Sequence, residues 1–261
     1  MVFSIFLIVA LFIGITYLFG LLYKIAESFN RKYALQSVGW KGFCLLGFIG
    51  VPFHESTHLI MAVVFGYKID GIALYRPIAG KADGILGYVR YTQGGGLYRK
   101  IGSFFVGTSP MIFGAIFLYL LLRFAFPNIF IGITEMPQTW DTLGEVLKKV
   151  FGSLSGLFPA IGNSIPIALL IFLAGVLICP HLGMSGADFK GTISGAAFLL
   201  LTGLIVPFVL HRVIPSLTLE IIYTALSMFV VNYSYALLIG LFISALSALF
   251  YRGLSLIVKR R

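Results

Sequence analysis

Along this chain, long apolar runs alternate with short polar or basic connectors, and the length of those runs decides the architecture. About 20 apolar residues cross a bilayer as a helix, because 1.5 Å per residue then matches a ~30 Å hydrocarbon core. The pattern predicts about six transmembrane helices, near residues 3–23, 42–65, 101–125, 165–180, 192–211 and 219–251. Residues 24–41 read as a polar connector carrying Glu27, Arg31 and Lys32, with Tyr33 and Trp40 as interfacial anchors. Pro52 predicts a kink in the second span. Residues 67–92 break the helical texture. Their β-prone runs, 71–75 and 85–91, are separated by Pro77, Gly80 and Gly84 and predict a small membrane-associated β-hairpin directly after the second helix. The longest polar stretch, 126–164, contains an amphipathic pattern at 139–151 suited to lying on the interface. The last run is long for one span. Asn232-Tyr233-Ser234 leaves it open between one tilted helix and a re-entrant piece followed by a span. The expected fold is an all-α polytopic membrane protein, one integral membrane domain over residues 1–261, with the hairpin as its only sheet.

Composition agrees with this class. Charged residues make up 11% and hydrophobic ones 59%, with a mean hydropathy of +1.01, whereas soluble domains run near 25% charged. The first run lacks a basic leader and a small-residue cleavage site, so it reads as a retained helix. A net charge of +10 would suit nucleic acid, but the Lys and Arg are spread over connectors rather than gathered into a stripe. The lipid bilayer, with its anionic headgroups, is therefore the expected partner, and nucleic acid is not. Counting basic residues on the two sides favours the hairpin and the C-terminus on the cytoplasmic side, which would put the H-E-x-x-H motif in the cytoplasmic half of its helix, and the compact design suggests a prokaryotic cell membrane. Cys44 and Cys179 both fall in apolar runs and are expected as free, buried thiols.

Candidate chemistry changes the picture at residues 51–61. His54, Glu55 and His58 spell H-E-x-x-H inside the second span. On a helix, positions i and i+4 share a face, so two imidazoles can hold one zinc ion while the intervening Glu acts as a base. Ionisable groups in hydrocarbon cost on the order of 2.5–3.5 kcal/mol each, which argues that they are used. A catalytic zinc takes a third protein ligand. Of nine acidic residues, only Glu55, Asp188 and Glu220 lie in or beside apolar segments. Asp188 is the best candidate, in the small-residue context Ser185-Gly186-Ala187 at a helix start. Its plainer reading is a helix-terminal carboxylate paired with Lys190. His181 is an alternative ligand, an orienting neighbour of one, or simply an interfacial histidine. His211 reads as interfacial, and Glu220 as a cap or partner of Arg212.

These residues together resemble the site-2 protease class of zinc intramembrane metalloproteases, over roughly residues 42–195. His54, Glu55 and His58 correspond to its first motif, and residues 67–92 to its membrane-associated hairpin. Gly107-Thr108-Ser109-Pro110 and Gly114 are similar to its glycine-proline element, and Asp188-Phe189-Lys190-Gly191 to its aspartate-glycine motif. The asparagine after the glycine-proline element and the paired glycines after the aspartate are missing. The His181…Ser185-x-x-Asp188-x-Lys190 arrangement is instead similar to small bacterial membrane proteins with site-2-like motifs. The resemblance implies a protease-like core at 42–195, flanked by an N-terminal helix 3–23 and C-terminal helices 196–251. It also implies Zn2+ held by His54, His58 and Asp188.

The expected function is a zinc-dependent intramembrane endopeptidase in which Glu55 activates a zinc-bound water and cleaves a membrane-spanning or membrane-associated protein or peptide. A membrane transporter or channel passing metal ions or protons over its buried His and Asp is the rival from another class. A non-protease membrane metalloenzyme and an inactive scaffold complete the set. No internal repeat across the two halves supports transport.

Overall fold

A computed structural model describes residues 2–126, 164–213 and 216–258, with a few further positions between 152 and 162. Among the described residues, the regular structure is helical apart from one two-stranded antiparallel sheet. In order come α1 (Val2–Val64), β1 (Lys68–Ala73), α2 (Gly80–Asp83), β2 (Tyr88–Thr92), α3 (Leu97–Ala125), α4 (Ile165–Ile178), a 3-10 turn (Cys179–His181), α5 (Gly186–Val213) and α6 (Ser216–Val258). Among the described residues, four helices are long and apolar enough to cross a membrane: α1, α3, α5 and α6 from Leu219. The segment Ile165–His181 is apolar but shorter.

α1 joins two helices across a kink, and the first two expected spans fall one in each arm. Residues 24–41 are not a connector but helix, broken only at Gly39 (φ 66°, ψ −172°). The residues from Lys24 to Gln36 are mostly good helix formers, and Tyr23, Ala26, Asn30 and Ala34 form a buried stripe along them. Polarity there marks an outward helix face, not a loop. In a straight helix Glu27 and Glu55 would stand about 42 Å apart. Both line one cavity, so the chain doubles back at Gly39. Gly39 occupies backbone space that only glycine enters readily, and Gly39→Ala is expected to cost about 1–3 kcal/mol. A drop in thermal midpoint of the purified protein checks this. Pro52 sits inside the second arm without a comparable break.

The core lies between the first arm of α1, α3 and α6, around Phe12, Tyr23, Phe104, Met111, Leu118 and Tyr235. Three polar ties recur along the α1 stripe. Thr16 Oγ1 meets the Tyr233 hydroxyl at 3.2 Å, Tyr23 donates to the Leu237 carbonyl at 2.9 Å, and Asn30 Nδ2 donates to the Ser244 carbonyl at 2.9 Å. Partners advance in the same direction on both helices, so the first arm and α6 run parallel. Residues 232–234 lie inside unbroken helix, which settles the last run as one element. Both cysteines are free and buried. The expected amphipathic helix at 139–151 lies outside the described residues.

β1 and β2 pair antiparallel from Lys68↔Thr92 to Ala73↔Tyr88, slightly offset from the runs expected. The sheet lies along the second arm of α1. At one end Tyr67 packs with Ala62, and at the other Trp40 Nε1 donates to the Pro77 carbonyl at 3.1 Å. The Tyr75 hydroxyl donates to the Cys44 carbonyl at 2.6 Å between them. Within the connection, the Ile85 N–H and Arg76 both donate to Asp83, holding its carboxyl below the usual range.

Candidate metal centre

The second arm of α1 presents His54 and His58 on one face, with Nε2 atoms 3.1 Å apart. Each ring is fixed through its other nitrogen. His54 Nδ1 donates to the backbone carbonyl of His181 at 2.6 Å, and His58 Nδ1 donates to that of Val106 at 2.8 Å. Carbonyl oxygens only accept, so both Nδ1 atoms carry protons, and the two Nε2 atoms turned toward each other are the positions left to hold a ligand. Asp188 Oδ1 lies 3.8 Å from His58 Nε2. All three ligand atoms fall within 4.8 Å of one another. Two ring nitrogens and a carboxylate oxygen brought together in this way could hold a metal ion. Tetrahedral zinc with bonds of about 2.0–2.2 Å spaces its ligands roughly 3.3–3.5 Å apart; the donor set suits that ion, and the 3.1 and 3.8 Å separations bracket this spacing.

Asp188 is brought there by the start of α5. Its Oδ2 accepts the Ser185 N–H at 2.8 Å while its own N–H donates to Ser185 Oγ at 3.1 Å, a reciprocal cap that aims the remaining oxygen at His58. Lys190 is exposed, and the carboxylate faces Ser185 and His58 rather than Lys190. Close approach of α3 makes the placement possible. A Cβ at Gly107 would collide with Thr192 and come within 3.1 Å of the Asp188 carbonyl, and one at Gly195 would collide with the α3 backbone at Phe104. Gly107→Ala is expected to push α5 away from α3 and weaken zinc binding about 10–100-fold, as loss of an orienting contact does. Competition with a chromophoric chelator measures it.

Glu55 stands outside the ligand triad and lines a cavity of about 300 Å3. β2 reaches it: the Val89 N–H donates to its carboxylate. A Cβ at Gly87 would lie 2.8 Å from Glu55 Cγ, so glycine there leaves the acid its room. His181 does not join the triad. Its carbonyl orients His54, and its ring packs where a Cβ on Gly50 would collide with it. His211, in the last turn of α5, and Glu220, in α6, are outside the group.

Several participants carry no signal in the sequence. Val106 and His181 act through backbone carbonyls, which any residue supplies. Ser109 Oγ lies 3.3 Å from His58 Nδ1 and donates to the Val106 carbonyl at 2.8 Å. Tyr91, on β2, is pushed up to about 12 by burial, with the charges of Asp188 and Glu55 and its neighbour Tyr67 adding to it.

Comparison of the chain with protein-family models, with curated proteins and with solved structures found no match in any of the three.

Proposed function

We propose that the protein is a zinc-dependent intramembrane endopeptidase, cleaving a membrane-spanning or membrane-associated protein or peptide. The observation that carries this reading is the convergence of His54 Nε2, His58 Nε2 and an Asp188 oxygen, with Glu55 adjacent, on a long apolar helix. His54, His58 and Asp188 hold the ion. Zinc bound there acidifies water and polarises a carbonyl. Glu55 takes the proton of the attacking water and passes it to the leaving amine nitrogen. The two arms of α1, the connection between the strands and the 3-10 turn all contribute residues to the cavity lining.

A helical substrate hides its carbonyls in its own hydrogen bonds and has to unwind before attack. Strand pairing with the hairpin, whose two strands leave outer edges unpaired, replaces those bonds. With the hairpin in the cytoplasm of a prokaryotic cell, the site lies in the cytoplasmic half of the membrane.

The test is purified protein in liposomes with transmembrane peptides carrying a helix-weakened segment and a fluorescence-quencher pair. About one zinc per chain and cleavage that stops on chelation and returns with zinc support the reading. Zinc or proton flux across the liposome without hydrolysis would establish the transport reading in its place.

A further inference from the structure

The cavity that holds Glu55 has a second polar wall that the proposed reaction leaves unused. Glu27, Asn30, Arg31 and Ala34 line it from the first arm of α1. Their spacing of i, i+3, i+4 and i+7 puts them on one helix face. Asn30 is only 5% exposed. Its Nδ2 donates to the carbonyls of Ala26 at 3.0 Å and Ser244 at 2.9 Å, which fixes the orientation of the amide. The atom left over is Oδ1, buried and without a partner.

Glu27 lies one turn away. A Cβ at Gly183 would sit 2.5 Å from Glu27 Oε2, so bare backbone is what faces this carboxylate across the helix contact. Cations stand one turn to either side, but both are engaged elsewhere. Arg31 Nη2 donates to the Gly84 carbonyl at 2.9 Å, and Lys24 Nζ sits 5.6 Å over the Phe189 ring. Among the described residues, no N–H or O–H donor is hydrogen-bonded to the Glu27 carboxylate and no cation lies within 4 Å of it; the charges of Arg31 and Lys24 act on it only from further away.

Two acceptors on one face and no donor for either define the complement: a compact group rich in N–H and positively charged. A primary ammonium has three donors and can satisfy both residues at once. A quaternary ammonium cannot, having none. We propose that Glu27 and Asn30 form an ammonium-binding subsite within the cavity shared by His54 and Glu55. Such a group has two sources, a lysine side chain of a bound peptide or the amino terminus created when a peptide bond is cut. Assignment to the new amino terminus rests on the endopeptidase reading; the subsite itself does not.

The experiment measures binding of three tripeptide amides to the full-length zinc-loaded protein by titration calorimetry. They are Ala-Leu-Leu with a free amino terminus, its N-acetylated form, and N-acetylated Lys-Leu-Leu. The free-terminus peptide is expected to bind at least about tenfold tighter than the acetylated one, the scale of a charge-assisted hydrogen bond. That advantage is expected to vanish in Glu27→Gln. In the wild type, the same peptide should protect Glu27 from dicyclohexylcarbodiimide, read by mass spectrometry, which needs no variant to fold. Equal binding of all three peptides, an advantage that survives Glu27→Gln, or labelling unaffected by the peptide would overturn the subsite. An advantage shown by the lysine peptide alone keeps the subsite and removes its assignment to the new amino terminus. Intact ammonium preference in a protein that never hydrolyses peptides overturns the endopeptidase reading alone.

Discussion

Glu55→Gln is expected to leave zinc stoichiometry unchanged while lowering peptide cleavage about 10²–10⁴-fold, the usual contribution of a positioned general base. The substitution preserves shape. The amide oxygen of glutamine can still accept the Val89 N–H, and the room left by Gly87 accommodates either side chain. What is lost is the capacity to take a proton. Because the candidate ligand atoms belong to His54, His58 and Asp188, the ion is expected to stay. Zinc measured by mass spectrometry beside turnover in liposomes separates the two effects. Cleavage surviving in Glu55→Gln would show that another group carries the proton. Loss of zinc along with activity would place Glu55 among the ligands.

Asp188→Asn is expected to fail differently. It removes the only anionic ligand of the triad, so zinc affinity should fall at least about 100-fold, beyond what loss of an orienting neighbour costs. Turnover should fall with it and recover partly at high zinc. The fold should survive, since asparagine can still accept the Ser185 N–H at the start of α5. Asp188→Ala loses that bond too, and its thermal midpoint should drop by the equivalent of about 1 kcal/mol. Unchanged zinc affinity in Asp188→Asn would reduce this residue to the helix cap that its position also allows.

The contrast between these residues shows what the sequence could and could not convey. His54 and His58 announce themselves because a helix puts i and i+4 side by side, and Asp188 stood out because so few acids lie near apolar segments. That the three approach one another depends on α3 and α5 touching at Gly107 and Gly195, and glycine contacts of that kind look the same in sequence as any other small residue in a membrane helix. Residues 24–41 were misread for a related reason. Polarity on one helix face and polarity in a loop have the same composition, and only the buried stripe Tyr23, Ala26, Asn30 and Ala34 tells them apart. The turn of the chain came down to one backbone torsion at Gly39. The continuity of α6 through Asn232 was undecidable because its polar side chains satisfy themselves within the helix: Asn232 Nδ2 donates to the Met228 carbonyl at 2.8 Å and Ser234 Oγ to that of Val230 at 2.6 Å.

Both histidine rings are steered by main-chain oxygens, those of Val106 and His181. Saturation mutagenesis should therefore give an uneven map around His58. Position 106 should accept side chains of similar size with little loss of zinc, while its neighbour Gly107 tolerates almost nothing. Half of what holds this centre in shape would thus be silent to any survey that reads side chains alone.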